Sequence, residues 1–287
     1  MSRLAIPKTY KLAIGGAFPR SESGRTYEVT TPKGAFLANA ALASRKDARD
    51  AVVAARGAQS GWAGATAYNR GQVLYRIAEL LEGRREQFVE EIRSSEGASE
   101  AAATKQIDAA IDTWVWYAGW TDKFAQVAGA GNPVAGPFFN LSVPEPTGVV
   151  AVIAPQAVAG GSLLGFVSVV APVLVAGNTV IAVPDETRPL SAISLAEVLA
   201  TSDVPGGVVN VLTGSPAELA PWLASHADVN ALDLTGAGAL DWVSYEIAAA
   251  DTLKRVTRPE AGIPDPSLHR ILAATETKTV WHTKSTI

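Results

Sequence analysis

The chain has 287 residues, 48% of them apolar, and 24 basic against 28 acidic side chains give a net charge of −4. That is core material for one large or two small domains. The mixed charge provides neither a basic stripe for nucleic acid nor a polybasic membrane anchor. Cysteine is absent, which removes disulfides, thiolate metal sites and any sulfur nucleophile.

Along the chain, Pro7, Lys8 and Lys11 interrupt the opening residues, so no leader is expected and the expected location is cytoplasmic. Tyr10 to Ala17 and Thr26 to Thr30 read as two short strands of a peripheral hairpin, joined by the polar turn from Pro19 to Gly24. Ser44 with Asp47 has the spacing of a capping pair and opens a helix to about Gln59, stopping at Gly61. A second helix is expected from Thr66 to Ser95, with Leu74, Ile77, Leu81, Phe88 and Ile92 on one stripe. A third runs from Glu100 to Val127. Its tryptophans, Trp114, Trp116 and Trp120, are read as packed aromatics rather than as a stacking platform for a base or sugar.

From Gly129 to Pro146, Pro133, Pro137, Pro144 and Pro146 exclude a helix, and Phe138 to Val143 is expected as an extended edge strand. The segment that follows, Pro146 to Pro184, carries no charge. Its glycines and prolines cut it too short for the roughly 20 apolar residues of a membrane span. It divides into a strand (Gly148 to Ala154), a helix (Ser162 to Val175) and a second strand (Thr179 to Val183), the core of an open α/β sheet buried on both faces. The rhythm continues with a helix from Ser191 to Thr201, a strand from Gly207 to Leu212, a helix from Ser215 to Ser225, a strand from Val229 to Leu234 and a helix from Leu240 to Leu253. Arg255 to Pro266 reads as a proline-rich linker, and Thr275 to Lys284 as a terminal strand. Ligand chemistry in such sheets lies beyond the carboxyl ends of the strands, at Ala154 to Gly161 and Pro184 to Thr187. His226, His269 and His282 are too scattered for a metal-ligand pattern, so no metal site is expected.

The stretches EPTGVVAVIAP, APVLVAGNTVIAVPDETRPLSAISLAE, DVPGGVVNVLTG and HADVNALDLTG resemble the aldehyde dehydrogenase superfamily, and YAGWTDK and ETKTVW extend the resemblance outward. It implies a Rossmann-like open parallel sheet of the cofactor-domain type, with amino-terminal helices and a small β oligomerisation arm. The implied division is residues 1–127 for the amino-terminal hairpin and helices, 128–145 for the arm strand, 146–255 for the βα core, 256–267 for the linker and 268–287 for the terminal oligomerisation strand. One piece of the family pattern is missing: the second α/β domain that carries the nucleophilic cysteine and the general base, expected between Leu234–Gly236 and the tail.

The resemblance also marks what has changed at the site. The family's oxyanion asparagine falls at Ala157, in Pro155-Gln156-Ala157, a loss of one donor and about 3 kcal/mol of transition-state stabilisation. The lysine of its ribose-binding pair falls at Val183, while the glutamate persists as Glu186. Its Gly-x-Gly turn reads Gly214-Ser215-Pro216, and its Gly-Ser-Thr turn begins at Gly236 but has lost the hydroxyls. No catalytic residue is therefore expected. Pro155, Val183, Glu186, Gly214 and Gly236 remain as residual cofactor-binding candidates, with no cofactor expected beyond weak residual NAD(P) binding. The arm, Asn132 to Pro144 with Glu276 to His282, is intact in sequence. The expectation is a non-catalytic homologue that oligomerises with a full-length aldehyde dehydrogenase, or with itself. The alternatives are an oxidoreductase that still binds NAD(P) and oxidises an aldehyde, and a nucleotide-sensing module in which Glu186 is the remaining polar contact.

Overall fold

The computed structural model describes residues 8–284; Met1 to Pro7, part of the leader reading, and residues 285–287 lie outside it. Strands β1 (Thr9–Tyr10), β2 (Thr26–Thr30) and β3 (Phe36–Ala41) form a sheet of order β1-β3-β2. The expected hairpin is corrected here: β2 pairs antiparallel with β3, and β1 lies parallel along the other edge of β3. The alanines of β3 hide it from a reading based on β-branched residues, yet Ala38, Ala40 and Ala41 are all buried. Ala13 reaches further and exchanges two backbone hydrogen bonds with Val211, at 3.0 and 2.7 Å.

Helix α1 (Arg45–Gly64) opens on a full capping box, with the Ser44 hydroxyl accepting from the Asp47 amide and Asp47 Oδ2 accepting from the Ser44 amide. It runs past Gly61 because Trp62 is buried and its indole donates to the Leu174 carbonyl at 3.2 Å. The single helix expected from Thr66 to Ser95 is two, α2 (Ala67–Gly83) and α3 (Arg85–Glu96), broken at Arg84 after a glycine. Their stripe is buried as expected. The third helix is also divided, into α4 (Glu100–Ala118) and α5 (Phe124–Ala128), with a turn at Gly119 between them. Trp114 is fully buried, while Trp116 and Trp120 pack on each other at 5.7 Å between ring centroids.

Two strands, β4 (Ala130–Asn132) and β5 (Phe138–Pro146), belong to the arm. The βα core follows as β6 (Val149–Ile153), α6 (Ser162–Val175), β7 (Thr179–Val183), α7 (Leu190–Ala200), β8 (Val209–Val211), α8 (Pro216–Ser225), β9 (Ala231–Asp233), α9 (Trp242–Ala250) and β10 (Arg255–Thr257). The chain then gives α10 (Leu268–Ala273) and β11 (Thr275–Thr283).

The core sheet has the order β10-β9-β6-β7-β8 and is parallel throughout. Every residue of β6 and β7 is buried, as a sheet covered on both faces requires. Helices α2, α4, α6 and α7 contribute to the apolar layer on one face, and α1, α8 and α9 to that on the other. No helix among the described residues is long and apolar enough to cross a membrane.

Two expectations are overturned here. Arg255 to Thr257, read as the start of the linker, is the fifth strand, paired in parallel with Ala231 to Asp233; three residues of RVT beside prolines carry no periodic signal. β5 is the middle strand of its sheet, between β11 and β4, and not an edge. Its prolines are tolerated because β4 covers only Asn140 to Ser142, leaving Pro144 and Pro146 with a neighbour on the β11 side alone.

One side chain joins arm to core. Asn178 is fully buried; its Oδ1 accepts from the Gly148 amide at 2.8 Å, and its Nδ2 donates to the carbonyls of Val173 (3.1 Å) and Ala274 (2.8 Å). It thereby ties the start of β6, the end of α6 and the entry to β11. Asn178→Ala strands the buried Gly148 amide and Val173 carbonyl, while the Ala274 carbonyl keeps the Thr147 amide at 3.2 Å, and is expected to lower the unfolding free energy by about 2 to 4 kcal/mol, read by urea denaturation.

Candidate functional site

The strand order reverses between β6 and β9, which places the topological switch at their carboxyl ends. There Gly236 donates its amide to the Ile153 carbonyl at 2.9 Å. A Cβ at Gly236 would lie 1.8 Å from the Ala154 carbonyl oxygen, so the two loops meet backbone to backbone. The glycine is needed by this join, whatever else the crevice does.

The mouth between β6 and β7 is cross-linked by side chains. Gln156 donates from Nε2 to the carbonyls of Ala154 (2.7 Å) and Pro184 (3.2 Å), and its Oε1 accepts from the Glu186 amide at 3.0 Å. Asp185, buried, accepts from the Ala157 amide at 2.6 Å, the Thr187 amide at 2.8 Å and the Thr187 hydroxyl at 2.7 Å. Ala157, at φ 53°, is held in the left-handed region, a cost of about 1 to 2 kcal/mol for a residue with a Cβ. The bond from its amide to Asp185 offsets that cost.

Helix α6 presents its amino terminus to the same edge, the place where helix dipole and free amides favour an anion. The chain supplies that anion itself. Glu96, the last residue of α3, accepts from the amides of Gly160 (3.0 Å) and Ser162 (3.1 Å) and from the Ser162 hydroxyl. Gln106 Oε1 accepts from the Leu163 amide at 2.9 Å.

The residual candidates fall as follows. Pro155 and Val183 are buried, Pro155 against Gly165 and Val183 within the core with its carbonyl accepting from the Ala154 amide. Gly214, at φ 132°, sits where a Cβ would come within 3.0 Å of Leu42 Cδ1. Glu186 is half-buried. Thus Pro155, Val183 and Glu186 converge on one mouth, while Gly214 and Gly236 lie at the ends of β8 and β9.

Sequence reasoning missed three participants. Tyr27, on β2, brings a buried hydroxyl to the neighbourhood of Glu186, Asp185 and the Gly214 amide, where it meets no partner at hydrogen-bonding geometry. Burial first, and then the two carboxylates, push this phenol well above its ordinary pKa. Its alternation with Val29 in a strand read as peripheral was the only signal. Glu96 and Gln106 gave none, because the contacts that matter cross 56 or more residues.

Behind the switch, Arg270 of α10 reaches the carboxyl end of β9. It lies 3.5 Å from Asp233 and 2.5 Å from Glu260, and Thr235 donates its hydroxyl to Asp233 at 2.5 Å. Burial raises the Asp233 carboxyl pKa against the opposing pull of Arg270. A cavity of about 300 Å³ lined by Asp233, Glu260, His269 and Arg270 opens beside this cluster. Residues 237–274, which the resemblance marks as standing in place of the family's second lobe, hold α9, β10 and α10, with β10 completing the sheet and Arg270 fastening α10 to it. Among the described residues no group of three or more potential ligands could hold a metal ion.

A parallel sheet with a switch-point crevice, amino-terminal helices and a three-stranded arm defines a Rossmann-like α/β domain. The aldehyde dehydrogenase family matches residues 18–262, and the chain belongs to that family. It is 32% identical over 265 residues to cytosolic 10-formyltetrahydrofolate dehydrogenase of Mus musculus, covering 90% of this chain and 29% of that protein. With mitochondrial 10-formyltetrahydrofolate dehydrogenase of Homo sapiens it shares 31% over 265 residues, 90% of this chain and 28% of that one. Among solved structures, the NAD+ complex of an aldehyde dehydrogenase from Bacillus cereus superposes with a TM-score of 0.79 at 28% identity, covering 88% of this chain and 50% of that one. PnpE from Pseudomonas sp. WBC-3 gives a TM-score of 0.80 at 28% identity with the same coverage. The chain thus spans half the length of these solved structures and under a third of these curated relatives.

Gly236→Ala forces the Ala154 carbonyl and the loop after β9 apart. It is expected to cost more than about 3 kcal/mol in urea denaturation, by the same amount with and without NAD+ in the buffer.

Proposed function

We propose that the protein is a non-catalytic member of the aldehyde dehydrogenase family that serves as an accessory subunit, associating through its arm with a full-length, active relative. The carrying observation is the fate of residues 237–274: in a chain without cysteine, they complete the core sheet with β10 and fasten α10 onto it through Arg270. No thiol is available for thioester chemistry, and Ala157 offers a methyl group where the oxyanion donor is expected. The cleft's own polar groups support the same reading, since Gln156, Asp185 and Glu96 already hold the Glu186, Ala157, Gly160 and Ser162 amides.

Association has better equipment. β11 runs antiparallel along all nine residues of β5 and forms one edge of the arm sheet. An exposed edge of this kind accepts a further strand through backbone hydrogen bonds. Trp281 is 59% exposed and packs edge-on against Phe138 at 5.7 Å, and Phe139 is also exposed. Such aromatics anchor interfaces once desolvated.

A second reading, a nucleotide-sensing module, draws on the unpartnered Tyr27 hydroxyl beside Glu186, a corner able to hydrogen-bond a ribose hydroxyl. Calorimetry with NAD+, NADP+ and ATP distinguishes the two, because the accessory reading expects no saturable heat at about 1 mM ligand.

Co-expression with a tagged full-length aldehyde dehydrogenase from the same genome tests the proposal itself. The two chains are expected to co-purify, and Trp281→Lys to weaken the complex by about tenfold or more while lowering the protein's own stability by no more than about 1.5 kcal/mol. Two chains that elute separately at micromolar concentration, or NADH formation from an aldehyde by this chain alone, would refute it.

A further inference from the structure

A cavity of about 550 Å³ lies between the body and the base of the arm, away from the carboxyl edge of the sheet. Its inner wall holds Arg70, only 7% exposed. Two of the three guanidinium nitrogens are used. Nε donates to the Val175 carbonyl at 3.2 Å, and Nη1 donates to the carbonyls of Ala63 (3.3 Å) and Ala65 (2.5 Å), which secures the ends of α6 and α1. Among the described residues Nη2 has no partner, and no carboxylate forms a salt bridge with this side chain. Burial alone draws its pKa down, with no neighbouring acid to offset it.

The same wall is the amino terminus of α2, a helix of 17 residues. Thr66 takes up the amides of Asn69 and Arg70, which leaves those of Ala67 and Tyr68 open at the positive end of the helix, and Ala67 lines the cavity. The Gln59 side chain, also in the lining, has no partner among the described residues. The opposite side is apolar, formed by Phe124, Ala125, Pro144, Pro146 and Ala176. Glu145 stands at the rim, paired with Lys278 at 3.0 Å.

We infer that this cavity binds a small monocarboxylic acid, its carboxylate on Arg70 Nη2 and the first amides of α2, its hydrocarbon body against Phe124 and the two prolines. A guanidinium fixed by three hydrogen bonds, with its third nitrogen unpartnered in the cavity wall beside a helix amino terminus, favours an oxyanion. The apolar far wall and a volume within the usual range of small-molecule sites favour one with a short chain over a bare inorganic ion. Because Pro144 and Pro146 end β5, an occupant would touch the root of the arm. The inference is independent of the accessory role proposed above.

Titration calorimetry on the full chain with octanoate, octanol and octylamine tests it. Octanoate is expected to bind saturably below about 1 mM, and octanol and octylamine at least about tenfold more weakly. Glu145→Gln removes a repulsive charge at the rim and is expected to tighten octanoate about threefold, while Arg70→Gln weakens it by about tenfold or more. Arg70 also holds two helix ends, so if Arg70→Gln fails to fold, Glu145→Gln and the octanoate-to-octanol ratio decide alone. Octanol binding as tightly as octanoate, no effect of Glu145→Gln, or no saturable heat from octanoate to about 5 mM overturns the inference.

Discussion

The structure depends on one constraint: the uncharged strand, helix and strand between Pro146 and Pro184 must be covered on both faces. β6 and β7 expose nothing, and α6 is buried at all but one of its 14 positions. At roughly 25 cal/mol per Å² of apolar surface, the drive to cover such a segment outweighs any local preference of the elements around it. The amino-terminal helices, the later βα units and β10 are therefore its coat. Asn178 then fixes the arm to that coat, because its one amide satisfies groups from three segments.

What was legible in the sequence follows from the same constraint. β6, α6 and β7 were readable almost to the residue, because burial on both faces leaves a run of β-branched and apolar residues that polar turns interrupt. Helix stripes such as Leu74, Ile77 and Leu81 were equally plain. β3 was not, because alanine packs into a strand without announcing one. The break at Arg84 was not, because the apolar stripe continues across it. β10 was hidden by its length and by the prolines that follow it, and the central place of β5 by an inference from proline that holds only where a neighbouring strand needs the missing amide.

For the site, the residue types at the carboxyl edge were readable but their partners were not. The stretches Ala154 to Gly161 and Pro184 to Thr187 could be named from the chain alone, and Ala157, Val183 and Glu186 in or beside them through the family resemblance. That Asp185 holds the Ala157 amide, that Gln156 bridges both strand ends, and that Glu96 caps α6 all depend on contacts between segments far apart in sequence. Together these contacts occupy the Ala157 amide, both strand ends and the amino terminus of α6, and leave the Tyr27 hydroxyl without a partner. Two of the glycines retained there, Gly214 and Gly236, are each required by a close backbone approach, so their persistence says little about a dinucleotide.

The central claim of the proposal is that most of the polar capacity of the cleft is used internally while the arm remains open to another chain. Amide hydrogen exchange on the chain alone, with saturating NAD+, and with a full-length aldehyde dehydrogenase from the same genome measures both halves at once. The account predicts that residues 154–161 and 184–188 keep the same protection with and without NAD+, and that β11 gains protection when the full-length chain is added. New protection of those loops in NAD+, with β11 unchanged by the second chain, would contradict it.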